Sequence, residues 1–283
     1  MKHTQPLLSA ILMLGAGLAL GACAQGPQPL APERIAAIIA SPDRSQADRT
    51  NDQRRKPELI LGFIAPWPGM AALDLSAGGG YTTELLARSV GPSGAVYGQS
   101  RPATPNQRPP AQPEGGAASP AAGAPAAPPR PPSPVALAAR AQKMREAGVA
   151  AAPITAIVRA FEDPIPPELA EGRLDLVTLM FNYHDLGHMG VDRAPMNRAV
   201  FKALKPGGLY VIADHSGRPG TGISESGTLH RIEEAFLRAE VEAAGFKLLA
   251  QGNFLRNPAD PRDKNTPDPP MPKDEFVLKF VRP

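Results

Sequence analysis

Leu73-Asp74-Leu75-Ser76-Ala77-Gly78-Gly79-Gly80-Tyr81-Thr82-Thr83-Glu84-Leu85-Leu86 runs from an apolar segment through a small-residue turn into a mixed polar and apolar segment. A strand ends at Asp74 or Leu75, the three glycines permit a tight turn, and a helix begins near Thr82. Glycine lets the backbone approach a ligand closely, and a helix start offers N–H donors without partners in the helix. Many turns of this kind carry glycine for packing alone. The strand–turn–helix placement makes this one a candidate ligand loop.

Strand and helix patterns alternate on both sides of that stretch. Strands are expected at 70–75, 95–97, 154–159, 174–181, 209–213, 246–250 and 276–281. Helices are expected at 32–39, 82–90, 135–147, 194–204 and, as one long helix closed by Gly245, at 226–244. Pro57 suits the first turn of a further helix carrying Leu59, Ile60 and Phe63. Residues 44–56 read as a charged surface helix or ordered arm, and Pro206-Gly207-Gly208 as a turn. The run 174–181 is apolar throughout, which suits the centre of a parallel sheet. The alternation predicts an α/β fold, a sheet covered by helices on both faces.

Two segments stand apart from this pattern. Residues 101–134 are almost wholly Pro, Ala, Gly and Gln without apolar periodicity, and read as a disordered insert inside the domain. At the other end, Lys2 and His3 precede an apolar run at 7–20, and Leu20-Gly21-Ala22-Cys23 follows. That is the tripartite pattern of a secretory signal, too short for a comfortable permanent span. Its end resembles a bacterial lipobox, which implies acylation of Cys23. Cys23 is the only cysteine in the chain, so disulfides and thiolate metal sites are excluded. Residues 24–56 follow as a tether and N-terminal helical arm, and 57–283 as the main domain. The net charge of +3 is spread out, with no basic block of the kind that binds nucleic acid.

Asp74-x-Ser76-x-Gly78-x-Gly80 resembles the first motif of the class I S-adenosylmethionine-dependent methyltransferases, with Ser76 in place of the first glycine. The apolar strand 174–181, Lys205-Pro206-Gly207-Gly208 and a final antiparallel pair at 246–281 extend the likeness over 57–283, the insert excepted. Phe181-Asn182-Tyr183-His184-Asp185 and Asp214-His215-Ser216-Gly217-Arg218-Pro219-Gly220 resemble a bacterial subgroup of such enzymes, often exported. The resemblance implies a Rossmann-like, doubly wound, mostly parallel seven-stranded sheet with an antiparallel last strand. It also implies S-adenosylmethionine as cofactor, held by Asp74, Ser76, Gly78, Gly80 and Asn182. The family places a carboxylate at the end of the second strand for the ribose hydroxyls. Here Gln99 stands there, a weaker partner for hydroxyls. Gln25 follows Ala24 after the lipobox, with no Asp, which by analogy implies outer-membrane sorting on the periplasmic side.

Four of the five histidines fall between 184 and 230, near expected strand ends where loops of an open parallel sheet converge on the ligand crevice. His184, His215 and Tyr183 are the catalytic candidates. Imidazole at either histidine would serve as a general base for a substrate oxygen or nitrogen. A divalent metal held by His184, His188, Asp214 and His215 is an alternative, as is a purely structural role in capping and loop support. Arg218 and Arg231 are candidates for an anionic substrate group, and Trp67 for packing. Methyl transfer to a small or envelope-associated acceptor is the leading expectation. A ligand-binding protein that kept the fold without catalysis is the alternative, and a metal-dependent hydrolase a third reading.

Overall fold

The computed structural model describes residues 28–103, 131–265 and 271–283. The leader with Cys23 and most of the 101–134 insert lie outside them. No helix among the described residues is long and apolar enough to cross a membrane.

The chain opens with helices α1 (Pro32–Ala40), α2 (Gln46–Arg55) and α3 (Pro57–Ile64). It continues through β1 (Ala71–Leu75), α4 (Tyr81–Val90), β2 (Ala95–Ser100), α5 (Ser133–Glu146), β3 (Ile154–Val158) and β4 (Leu174–Met180). After β4 come α6 (Asp185–His188), α7 (Arg193–Ala203), β5 (Leu204–His215), α8 (Ser226–Leu229), α9 (Glu234–Ala243), β6 (Lys247–Gly252) and β7 (Glu275–Val281). The seven strands form one sheet in the order β3-β2-β1-β4-β5-β7-β6. β1 to β5 run parallel and β7 is antiparallel to both its neighbours. This is the expected doubly wound sheet.

Side chains alternate between two cores. Leu73, Leu75, Val177, Leu179 and Ile212 point to the face covered by α7 and α9, where Met196, Val200, Leu237 and Val241 are buried. Ala72, Leu176, Val211 and Val277 point to the opposite face, under Ile60 and Ile64 of α3, Leu86 and Val90 of α4 and Met144 of α5. Burial on both faces explains why β4 reads as an unbroken apolar run. The chain winds outward from β1 in one direction through β2 and β3, then returns to β4 on β1's other side. The carboxyl ends of β1 and β4 therefore flank the switch point, where open α/β sheets bind ligands.

Two expectations fail. The helix expected over 226–244 is broken into α8 and α9. His230 adopts a left-handed backbone (φ 51°), and Arg231 turns fully inside. Ile232 leaves the helix to pair beside the end of β5, its N–H donating to His215 O (3.1 Å) and its carbonyl accepting from Gly217 N–H (2.7 Å). Helical periodicity in the sequence does not reveal that competing backbone partner. The expected turn at 206–208 is instead an irregular part of β5, with a register shift against β4.

Candidate functional site

The loop after β1 has left-handed backbone at Ser76 (φ 58°), Gly78 (φ 52°) and Gly80 (φ 80°). A Cβ built on Gly79 meets nothing within 4 Å, and one on Gly78 meets only Ser76 O at 3.9 Å. The loop backbone at 78–79 thus faces open space. Gly80 differs: its Cβ would lie 2.8 Å from both Arg140 Cδ and Leu137 Cδ2 of α5.

Asp74, the acidic residue of the motif, is buried. It accepts from the hydroxyls of Thr83 (2.7 Å) in α4 and Thr178 (2.9 Å) in β4. Burial raises its pKa to about 6, against the lowering by the two hydroxyls and Arg55. It ties β1 to the strand and helix on either side of it. Gln99 is turned inward as well: Oε1 accepts from the Ser76 N–H (3.1 Å) and Nε2 donates to Arg159 O (2.8 Å). Its amide braces the loop, so the ribose role expected of it is not the one its hydrogen bonds display. Ser76 Oγ donates to Asn182 Oδ1 (2.5 Å), and Asn182 Nδ2 donates to Asp185 Oδ2 (2.9 Å). This two-bond relay joins the glycine loop to the residues beyond β4.

Those residues form a histidine–carboxylate cluster. His184 is buried, with its backbone N–H on Asp214 Oδ2 (2.8 Å) and its Nδ1–H on Asp214 Oδ1 (2.6 Å). Its Nε2 lies 3.1 Å from Asp185 Oδ1, the same oxygen that His230 Nδ1 approaches at 2.9 Å. His188 Nδ1 lies 3.6 Å from it. The rings of His215, His184, His230 and His188 follow one another at centroid distances of 5.3, 5.6 and 5.6 Å. Burial would lower the His184 pKa, but Asp214 and Asp185 outweigh it and raise the value to about 10. In this arrangement His184 keeps its proton at neutral pH and is no base. Burial, with nearby cationic groups, instead pushes His215 well below 6.5. Its Nδ1 lies 3.0 Å from Glu275, whose own pKa burial raises to about 7 against the pull of Arg54 and Arg55.

The other candidates go elsewhere. Tyr183 faces away from the crevice, between α7 and α9, donating to Glu240 (2.9 Å) and accepting from Asn197 (2.8 Å). Arg231 is buried against Asp260 (2.9 Å) and the carbonyls of Ser216 and Lys264, which occupies it structurally. Arg218 pairs with Glu225 at the surface. Trp67 packs at the edge of the core, as expected.

α2 is more than a surface arm. Tyr81 Oη donates to Asp52 (2.6 Å), which also takes both Arg44 nitrogens (2.6 and 2.8 Å). Arg140 of α5 joins Asp48 (2.7 Å), Glu84 (2.6 Å) and Gly79 O (2.5 Å). Arg54 and Arg55 lie over the Phe181 ring, and Arg54 reaches Glu275 (2.8 Å). α2 therefore stretches across the ends of β1, β4 and β7. Beneath Arg55, a cavity of about 20 Å³ remains between Tyr81, Phe181 and Ile60, room for about one water. This cover is not legible in the sequence, because its partners lie as far as 92 and 221 residues away.

No family model and no curated protein matches the chain. Solved structures do. An S-adenosylmethionine-dependent methyltransferase from Aquifex aeolicus superposes with a TM-score of 0.51 at 16% identity, over 90% of this chain and 100% of that one. An arsenic(III) S-adenosylmethionine methyltransferase from Chlamydomonas reinhardtii gives 0.52 at 15%, over 89% and 73%. The fold is that of the Rossmann-like methyltransferases. It is not confined to methyl transfer, for the [4+2]-cyclase SpnF matches at 0.51 and 16%, over 86% of each chain.

Proposed function

We propose that this protein is an S-adenosylmethionine-dependent methyltransferase, exported and lipid-anchored through Cys23, acting on a small or envelope-associated acceptor. The relay Ser76–Asn182–Asp185 carries the reading, because it couples the glycine loop at the switch point to a polar cluster suited to an acceptor. The open backbone at Gly78 and Gly79 fits the cofactor's amino-acid end, whereas Gln99, turned inward, leaves the ribose hydroxyls without the family's carboxylate. Bound there, the cofactor supplies a methyl group on a sulfonium. The chain's own part is alignment: Asn182 and Asp185 position the acceptor side, and α2 excludes water above it. His215, held neutral, is the better candidate to take a proton from the acceptor.

Calorimetric titration of S-adenosylmethionine and S-adenosylhomocysteine into the purified full chain tests this. Micromolar binding that is lost in a folded Gly78→Arg variant is expected. Absence of binding at millimolar ligand, with the protein shown to be folded, overturns it. The inward Gln99 amide favours a second reading, a non-catalytic binding protein on the same fold, and cofactor binding without turnover of any screened acceptor would select it.

A further inference from the structure

We propose that His184, Asp185 and His230 form a binding site for a divalent transition-metal ion. One donor atom from each lies within 4.8 Å of the other two. Transition ions of this type bind imidazole nitrogen and carboxylate oxygen at about 2.0–2.2 Å, so neighbouring donors around one ion stand about 3–3.5 Å apart. Asp185 Oδ1 has the two imidazole nitrogens at 3.1 and 2.9 Å, which leaves a small adjustment to admit an ion.

The surrounding residues aim these donors. The Asp214 carboxylate accepts from His184 Nδ1–H at 2.6 Å and turns Nε2 towards Asp185, where a bound ion would take the place of the Nε2 proton. A carboxylate behind the imidazole is the usual outer support of a metal-bound histidine. Asp185 is supported too, since Asn182 donates to its other oxygen. His230 reaches the cluster only because the helix breaks there. Its left-handed backbone is unusual for a residue other than glycine, and the neighbouring Arg231 holds it in place through Asp260 and two carbonyls. A continuous helix, the expectation from the sequence, would not require this conformation.

Two imidazoles and one carboxylate select zinc, cobalt, nickel or ferrous iron over magnesium or calcium, which prefer all-oxygen sites. Three protein ligands leave positions open. The His230 side chain is 38% exposed, so those positions are reached from solvent. An ion there would sit one relay from the glycine loop and offer a place for an acceptor oxygen. That role rests on the methyltransferase reading; metal binding itself does not.

The test is titration of Zn²⁺ and Co²⁺ into the full chain, purified without a histidine tag and stripped with chelator. One ion per chain is expected, with visible Co²⁺ absorption bands that Zn²⁺ abolishes, and no comparable affinity for Mg²⁺. His230→Ala and Asp185→Asn should each weaken binding by about 100-fold or more, beyond the ~10–100-fold typical of outer supports. Asp214→Asn should fall in that lower range and shift the pH at which metal binds. His230 is partly exposed and Asp185→Asn is nearly isosteric, so circular dichroism should show both variants folded even if His184→Asn is not. A folded protein that binds neither ion at sub-millimolar concentration overturns the proposal, as does binding unchanged in both His230→Ala and Asp185→Asn. Cofactor titration is read separately, so failure of one proposal is not failure of the other.

Discussion

Asp74 offers a direct test of how the glycine loop is held. It is buried, and its pKa is raised from 3.8 to about 6. The folded state therefore binds this proton more tightly than the unfolded chain. Its contribution is most favourable below pH 3.8, declines as pH rises towards 6, and is constant above that. At about 1.4 kcal/mol per tenfold change in proton affinity, the interval corresponds to about 3 kcal/mol lost at neutral pH. Asp74→Asn removes the titration while keeping the shape. It also alters the bonds to Thr83 and Thr178, but that offset does not vary with pH. Urea unfolding of both proteins from pH 4 to pH 8 gives the difference in unfolding free energy at each pH. Over that range the difference should move by about 2.5 kcal/mol in favour of Asn, most of it between pH 4 and 6. A difference that stays flat within about 1 kcal/mol would refute the reasoning, because it would mean that the carboxylate ionises here without a burial cost.

Three further outcomes are expected. Arg231→Leu leaves the buried Asp260 carboxylate without its cation and should cost about 3–5 kcal/mol in chemical denaturation; less than about 1 kcal/mol would show that the pair does not anchor the 230–232 segment. Arg140→Ala removes the link from α5 to Asp48, Glu84 and Gly79 O, so limited proteolysis should cut within 44–56 faster than in the parent, and equal cutting rates would contradict the latch. Cys23→Ser should abolish incorporation of a labelled fatty acid in a bacterial host, whereas label retained on the variant would end the lipobox reading.

The elements around the glycine loop were legible because local chemistry decides them. The expected strand at 70–75 and helix at 82–90 agree with β1 and α4 to within one residue at each end. Apolar runs and glycine punctuation are local signals, and both act within a dozen residues. The candidate site was legible in composition and only partly in roles. Asn182, His184 and Asp185 follow one strand, and His184 meets Asp214 from the next. Tyr183, between Asn182 and His184, points instead into the layer of α7 and α9, where its hydroxyl meets Asn197 and Glu240. Gln99 reads as a ligand residue by its position, but burial obliges its amide to satisfy the nearest backbone groups. His230 was visible as a histidine but not as a partner of Asp185, because only the inward pull on Arg231 breaks the helix there.

The fold serves both methyltransferases and a cyclase, so the fold cannot be what decides the chemistry. In this chain the distinguishing groups lie beyond β4 and β5, and they form a connected set. Asp214 fixes His184, His184 and His230 meet at Asp185, and Asp185 passes through Asn182 to Ser76. Each link is a hydrogen bond or an ion pair, so moving one member shifts the next. Loss of Asn182 should therefore leave both ends standing but uncoupled. Asn182→Ala should weaken cofactor and metal binding without abolishing either, the metal by the ~10–100-fold typical of a lost outer support, and lose any effect of one on the other, which calorimetry of each ligand with and without the other measures. If both bind and the coupling persists unchanged in the variant, the relay is not the path between them.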